Sequence, residues 1–348
     1  MRKGLCDEDP ILAIIGLRAW PFGSVSRSGC RGADDPPTLA DIVEAWLASP
    51  HADRSSEAFT HWNEDGEIPG SCAVCHSSTG AVDYVRGPMT TPGMIDHSVG
   101  LGTTVDCVVC HNQSATDLHA VPFPSGVMID TFEASAMCTV CHQGRASTLT
   151  VETQTAGLED DVIAGDLGFI NVHYAPSAST MMGTVARGGY EYPGKVYKGQ
   201  FSHVPDFNTC TDCHSPHALD VSLQACTTCH QGADDFTAIR ISPSDFDGDG
   251  NVTEGIADPI TTLHARLGAA IRAYATEVLK APVVYADAYP YFFADTDANG
   301  VAGPGEAIYP NRFQNWTPRL LKAAYNYQLV AKDRAIYTHN PHYALQLL

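Results

Sequence analysis

The chain has 348 residues, 40 acidic against 20 basic side chains and a formal net charge of −20, so its surface repels nucleic acid and anionic lipid and favours cations or basic partners. No stretch approaches the roughly 20 apolar residues of a membrane-spanning helix, which excludes a span, and the length allows two or three domains. Twelve cysteines would suit a disulfide framework, but their spacing does not: ten fall into one repeated pattern and only Cys6 and Cys30 are left over.

In chain order, residues 1–50 read as leader, linker and a short helix. Arg2 and Lys3 are followed at once by Asp7, Glu8 and Asp9, and the apolar run Ile11 to Leu17 is short, a poor export signal. Cys30 lies in a Ser-Gly-Cys-Arg context, but Arg27 stands where a lipoprotein signal has an aliphatic residue. Thr38 then caps a helix with Leu39, Ile42, Val43, Trp46 and Leu47 on one face.

Residues 51–232 carry the pattern itself. Cys72-x-x-Cys75-His76, Cys107-x-x-Cys110-His111, Cys138-x-x-Cys141-His142, Cys210-x-x-Cys213-His214 and Cys226-x-x-Cys229-His230 each put two thiols one helical turn apart and an imidazole directly behind them. Two thiols at that spacing form thioethers with the two vinyl groups of one porphyrin, and the histidine then binds the iron from one side. Zinc knuckles and thiol redox centres also use CxxC, yet neither requires a histidine after every second cysteine. The motifs span about 159 residues, or roughly 32 per haem, too few to wrap five porphyrins in a layered protein core. The expected fold is therefore a multihaem cytochrome c: mostly irregular loops with short α-helices around a stacked five-haem core. The segment 143–209 splits the motifs three plus two.

A haem iron with one protein ligand binds small molecules, whereas one with two mainly passes electrons. Five of the fifteen histidines stand in the motifs and ten remain, a surplus for five second positions. His51, His61, His173, His203 and His217 are the candidates, with His339 in reserve; His97 and His119 flank the second motif. His217 is the strongest, because Pro216 holds it away from its own haem and toward a neighbour, with the Cys226 site expected. Met181 and Met182 read as packing residues.

Residues 233–348 contain no cysteine and read as a small α-helical module with calcium loops. Ile260, Leu263, Leu267, Ile271, Tyr274 and Val278 recur at helical spacing. Thr317-Pro318 opens a second helix and Asn340-Pro341 a third. Asp295, Asp297, Asn299, Val301 and Glu306, with Gly300 at the sixth position, satisfy the calcium-loop pattern in full. Asp245, Asp247, Asp249 and Asn251 match it until position twelve, leaving Glu254 or Asp258 to complete the shell. One or two calcium ions in a static, bracing role are expected.

The repeated CxxCH, the Cys213-His214-Ser215-Pro216-His217 phrase, the tryptophan-led histidine from Trp46 to His51 and the His339-Asn340-Pro341 helix start resemble multihaem c-type cytochromes of bacterial periplasms and cell surfaces. That resemblance implies electron transfer through bis-histidine haems, a location outside the cytoplasmic membrane, redox proteins or extracellular acceptors as partners, and in some relatives homopolymeric conducting filaments. It also implies an alternative, a multihaem oxidoreductase acting on nitrogen or sulfur oxyanions at one open haem. Pentahaem nitrite reductases replace one proximal histidine by lysine, and this chain has no CxxCK.

Overall fold

The computed structural model describes residues 36–130, 135–205, 207–240 and 242–348. Residues 1–35, with Cys6, Cys30 and the expected leader, lie outside the described residues. Short helices joined by long irregular segments dominate, and the sheet among the described residues is three two-stranded antiparallel ladders: Glu67–Ile68 with Val99–Gly100, Ala120–Pro122 with Met128–Asp130, and Val283–Tyr285 with Phe292–Ala294.

The caps read from the sequence start the helices. Thr38 and Asp41 form a reciprocal capping box on Leu39–Leu47. The Thr317 hydroxyl accepts from Leu320 N at 3.2 Å to open Pro318–Lys332, and Asn340 Oδ1 accepts from Tyr343 N at 3.0 Å to open Pro341–Leu347. Ala257–Glu277 is the long helix expected from the apolar spacing, and it buries Ile260, Gly268, Ile271 and Ala275.

Two apolar clusters organise the molecule. One surrounds the first three motifs and is built on Val74, Tyr84, Val109, Phe123, Met137 and Val140. The larger one departs from the division expected at residue 232. It joins Val151, Leu167, Ile170, Val172 and Tyr190, from the segment between the third and fourth motifs, to Ile271, Val283, Trp316, Leu321, Tyr325 and Tyr343. Burying a side chain such as Leu320 or Leu321 contributes about 1.5–3 kcal/mol, so the helices of the C-terminal region hold the middle segment as part of their own core. Buried amides extend the seam. Asn326 accepts from Tyr190 N at 2.7 Å and donates to Tyr190 O at 3.0 Å, while Gln328 Oε1 accepts from Val172 N at 2.9 Å.

Candidate functional site

Each CxxCH forms one helical turn. The first, third and fourth motifs lie on or end the helices Gly70–His76, Ser135–Cys141 and Cys210–Cys213; the second lies on Cys107–Cys110, and Leu223–Thr227 leads into the fifth. In the last four, the histidine N–H donates to the carbonyl of the first cysteine at 2.8–2.9 Å, a closed α-turn that holds both thiols and the imidazole together.

The structure sets a second imidazole against every motif histidine. Ring centres are 5.9 Å apart for His76 and His173, 6.1 Å for His111 and His217, 6.4 Å for His142 and His51, 6.5 Å for His214 and His339, and 5.8 Å for His230 and His203. A metal–imidazole bond is about 2 Å and the ring centre lies about 1 Å beyond the nitrogen, so two imidazoles on opposite sides of one metal have centres about 6 Å apart. The donor set and the separation both fit a six-coordinate iron. Interplanar angles run from 3° for His111 and His217 to 77° for His76 and His173, and rotation about the axial line leaves the metal bonds unchanged.

Hydrogen bonds set the tautomers. The Nδ1–H of His76 donates to Ala58 O at 2.7 Å, that of His142 to Ala175 O at 3.2 Å and that of His214 to Leu219 O at 3.2 Å. A carbonyl can only accept, so Nδ1 carries the proton and the Nε2 lone pair is left for a metal. Burial favours the neutral, ligating form of five of the paired rings. It lowers His51 and His173 to about 4, with the His142 and His76 rings adding to it, and it also lowers His76, His142 and His203. His339 differs: burial would lower it, but the Asp333 carboxylate beside it outweighs burial and raises it.

The expected second-position histidines thus divide. His51, His173, His203 and His217 each face a motif histidine, although His217 faces His111 and not the Cys226 site. His61 faces none: its Nδ1 lies 2.8 Å from the exposed Glu57 and its ring packs on Trp62. His339, from the helix Ile336–His339, takes the place beside His214. His264 stacks on Tyr327 at 4.0 Å and donates to its carbonyl, a core histidine, and His97 sits between Asp96 and Asp83.

The motifs also adjoin one another out of sequence order. The third-motif helix packs against the first, where Cys141 Sγ lies 3.9 Å from Val74 O, and against the fourth, where Cys210 N donates to Ser135 Oγ at 2.9 Å.

Both acidic loops fold as rings of oxygen. Carboxylate oxygens of Asp295, Asp297 and Glu306 lie within 4.8 Å of one another, as do those of Asp245, Asp247 and Asp249. Gly300 at φ +77° and Gly250 at φ +89° make the sharp turn at position six in a conformation that disfavours a β-carbon. Asp295 accepts from Gly300 N at 2.9 Å and Asp245 from Gly250 N at 2.9 Å. Glu306 is pulled to about 2 by hydrogen bonds from Gly303 and Thr296. Asn299 caps its own loop by donating to Asp297, and Val301 follows the turn. In the second loop Asn251 donates to Glu254 at 3.4 Å, Arg240 lies 3.9 Å away, and burial followed by the nearby charges of Asp249 and Asp247 raises its pKa.

Five thiol-thiol-imidazole turns, each facing a second imidazole at metal-bridging distance, define the class: the chain is a relative of the multihaem c-type cytochromes. It is similar to the C-type polyheme cytochrome OmcB of Geobacter sulfurreducens, at 25% identity over 382 aligned positions that cover 89% of this chain and 47% of the relative. It is also similar to the C-type polyheme cytochrome OmcC of the same organism, at 26% over 366 positions covering 85% of this chain and 44% of the relative. The chain thus spans about half the length of the curated relatives it matches. No family model and no solved structure matches it.

Proposed function

We propose that the protein is an electron-transfer cytochrome holding five covalently attached haems, one on each CxxCH turn. The pairs His76–His173, His111–His217, His142–His51, His214–His339 and His230–His203 would each hold one haem iron. Each haem supplies a one-electron iron couple when bound. The residues of the chain would attach it by thioethers and offer it two imidazoles, leaving no position for an outside ligand. The observation that carries the reading is the pairing itself: each motif histidine meets one histidine from outside the motifs, at 5.8–6.5 Å between ring centres. The same pairing disfavours the oxyanion reductase, which needs one motif histidine without a partner imidazole. It also makes the relay complete within one chain, so a filament would need no histidine from a second subunit.

Contacts of the third-motif helix with the first and fourth support a stacked arrangement in which the third site adjoins both. Covalent haem attachment implies a periplasmic or extracellular location, with redox proteins or extracellular acceptors as partners. Among the described residues no helix is long and apolar enough to cross a membrane. The loop from Asp295 to Glu306, and with it the one from Asp245 to Glu254, would each hold a calcium ion that offsets local negative charge.

Intact mass and EPR of the protein matured with its haem-attachment machinery test this. Five haems and only low-spin ferric signals are expected. A high-spin signal in the resting protein, or a mass short of five haems, overturns the assignment.

A further inference from the structure

Among the ten paired histidines, one has its outer nitrogen on a carboxylate. Asp333, only 2% exposed, sets Oδ1 and Oδ2 at 2.8 and 2.9 Å from His339 Nδ1. The partner of His339 in its pair, His214, donates only to a backbone carbonyl. Asp333 is itself held, because it follows the last turn of Pro318–Lys332 and its Oδ1 accepts from Ala335 N at 3.3 Å.

The residue before it points the opposite charge at a different pair. Lys332, its side chain 3% exposed, lies with Nζ over the Tyr174 ring at 3.8 Å and the Tyr291 ring at 4.4 Å, and is bonded to Asp287, which is largely exposed. Tyr174 packs edge-on against His173. Arg145 reaches within 3.9 Å of Cys72 Sγ in the motif of the same pair, and its charge acts on both His76 and His173. Solvent screens Asp287 more than it screens the buried ammonium, so His76 and His173 sit in a net positive surrounding.

We propose that Asp333 is a positioning residue that lowers the reduction potential of the iron held by His214 and His339, while Lys332 raises that of the iron held by His76 and His173. A carboxylate on the outer N–H of a ligating imidazole fixes the ring and increases its basicity, and a buried negative charge favours the more positive ferric state. A buried cation near the other pair favours the ferrous state by the same Coulomb argument. Two consecutive residues at one helix end thereby separate two sites that both adjoin the third-motif helix. The inference rests on the ligand assignment proposed above.

The test is a potentiometric titration of the haem-loaded protein, followed by optical and EPR spectra, for wild type, Asp333→Asn, Asp333→Glu and Lys332→Met. In Asp333→Asn, which keeps an acceptor oxygen but removes the charge, one of five steps should shift upward by about ten-fold in the ferric-to-ferrous ratio, about 59 mV for one electron. The g-values of one low-spin signal should change with it, and Asp333→Glu should restore both. In Lys332→Met a different step should shift downward. If all haems stay low-spin and Asp333→Asn leaves every step in place, the tuning role is overturned while the ligand assignment stands. If His339→Ala produces no five-coordinate haem, the ligand assignment itself falls and the inference with it.

Discussion

At the scale of single residues, the chemistry lies in which imidazole stands opposite which. His61 and His217 were both candidates in the sequence, His217 the stronger, and His217 lies parallel to His111 at 3° while His61 turns to Glu57 on the surface. His217→Ala should therefore open one ferrous haem to carbon monoxide, seen as a new sharp optical band, and His61→Ala should open none. A carbon monoxide band in the His61 variant, or its absence in the His217 variant, would reverse the assignment. His339 was readable as a histidine at a helix start. That it opposes His214 was not, because the two are separated by 124 intervening residues and meet only through the packing of the C-terminal helices.

At the scale of elements, local rules decided most of the outcome. Thr38, Thr317 and Asn340 begin their helices because each side-chain oxygen accepts an N–H that the first turn leaves unpaired. The acidic loops likewise follow from glycine at position six and carboxylates at alternating positions. Three carboxylates within 4.8 Å repel one another unless a cation lies among them, so EDTA should lower the thermal midpoint and added calcium should restore it. Glu306→Gln should shrink that difference. A melting curve unmoved by exhaustive EDTA would remove calcium from the account. In the second loop the carboxylate cluster is Asp245, Asp247 and Asp249, while Glu254 engages Asn251 and Arg240.

At the scale of the whole molecule, the C-terminal helices and the segment between the third and fourth motifs form one core. Asn326 is the clearest seam, since it is 1% exposed and satisfies both the N–H and the carbonyl of Tyr190. Asn326→Ala leaves the buried Tyr190 amide unpaired and should cost about 1–3 kcal/mol in denaturant unfolding, with haem content unchanged. A loss confined to a few tenths of a kcal/mol would show the seam to be incidental. The composition shift after Gly232 marked a real change in chemistry, from cysteine-bearing loops to apolar helices, but not an edge of packing. Tyr190 and Val172 are too far from those helices in sequence for periodicity to join them.

The sequence by itself determined the attachment turns, the helix starts and the acidic loops, because each depends on side chains a few residues apart whose geometry the local backbone dictates. The tertiary structure decided the partner of each motif histidine, the neighbours of the third motif and the opposite charges that Lys332 and Asp333 bring to two sites. Those depend on contacts between distant segments, and such contacts are selected by the shared burial of apolar surface, which spacing along the chain does not encode.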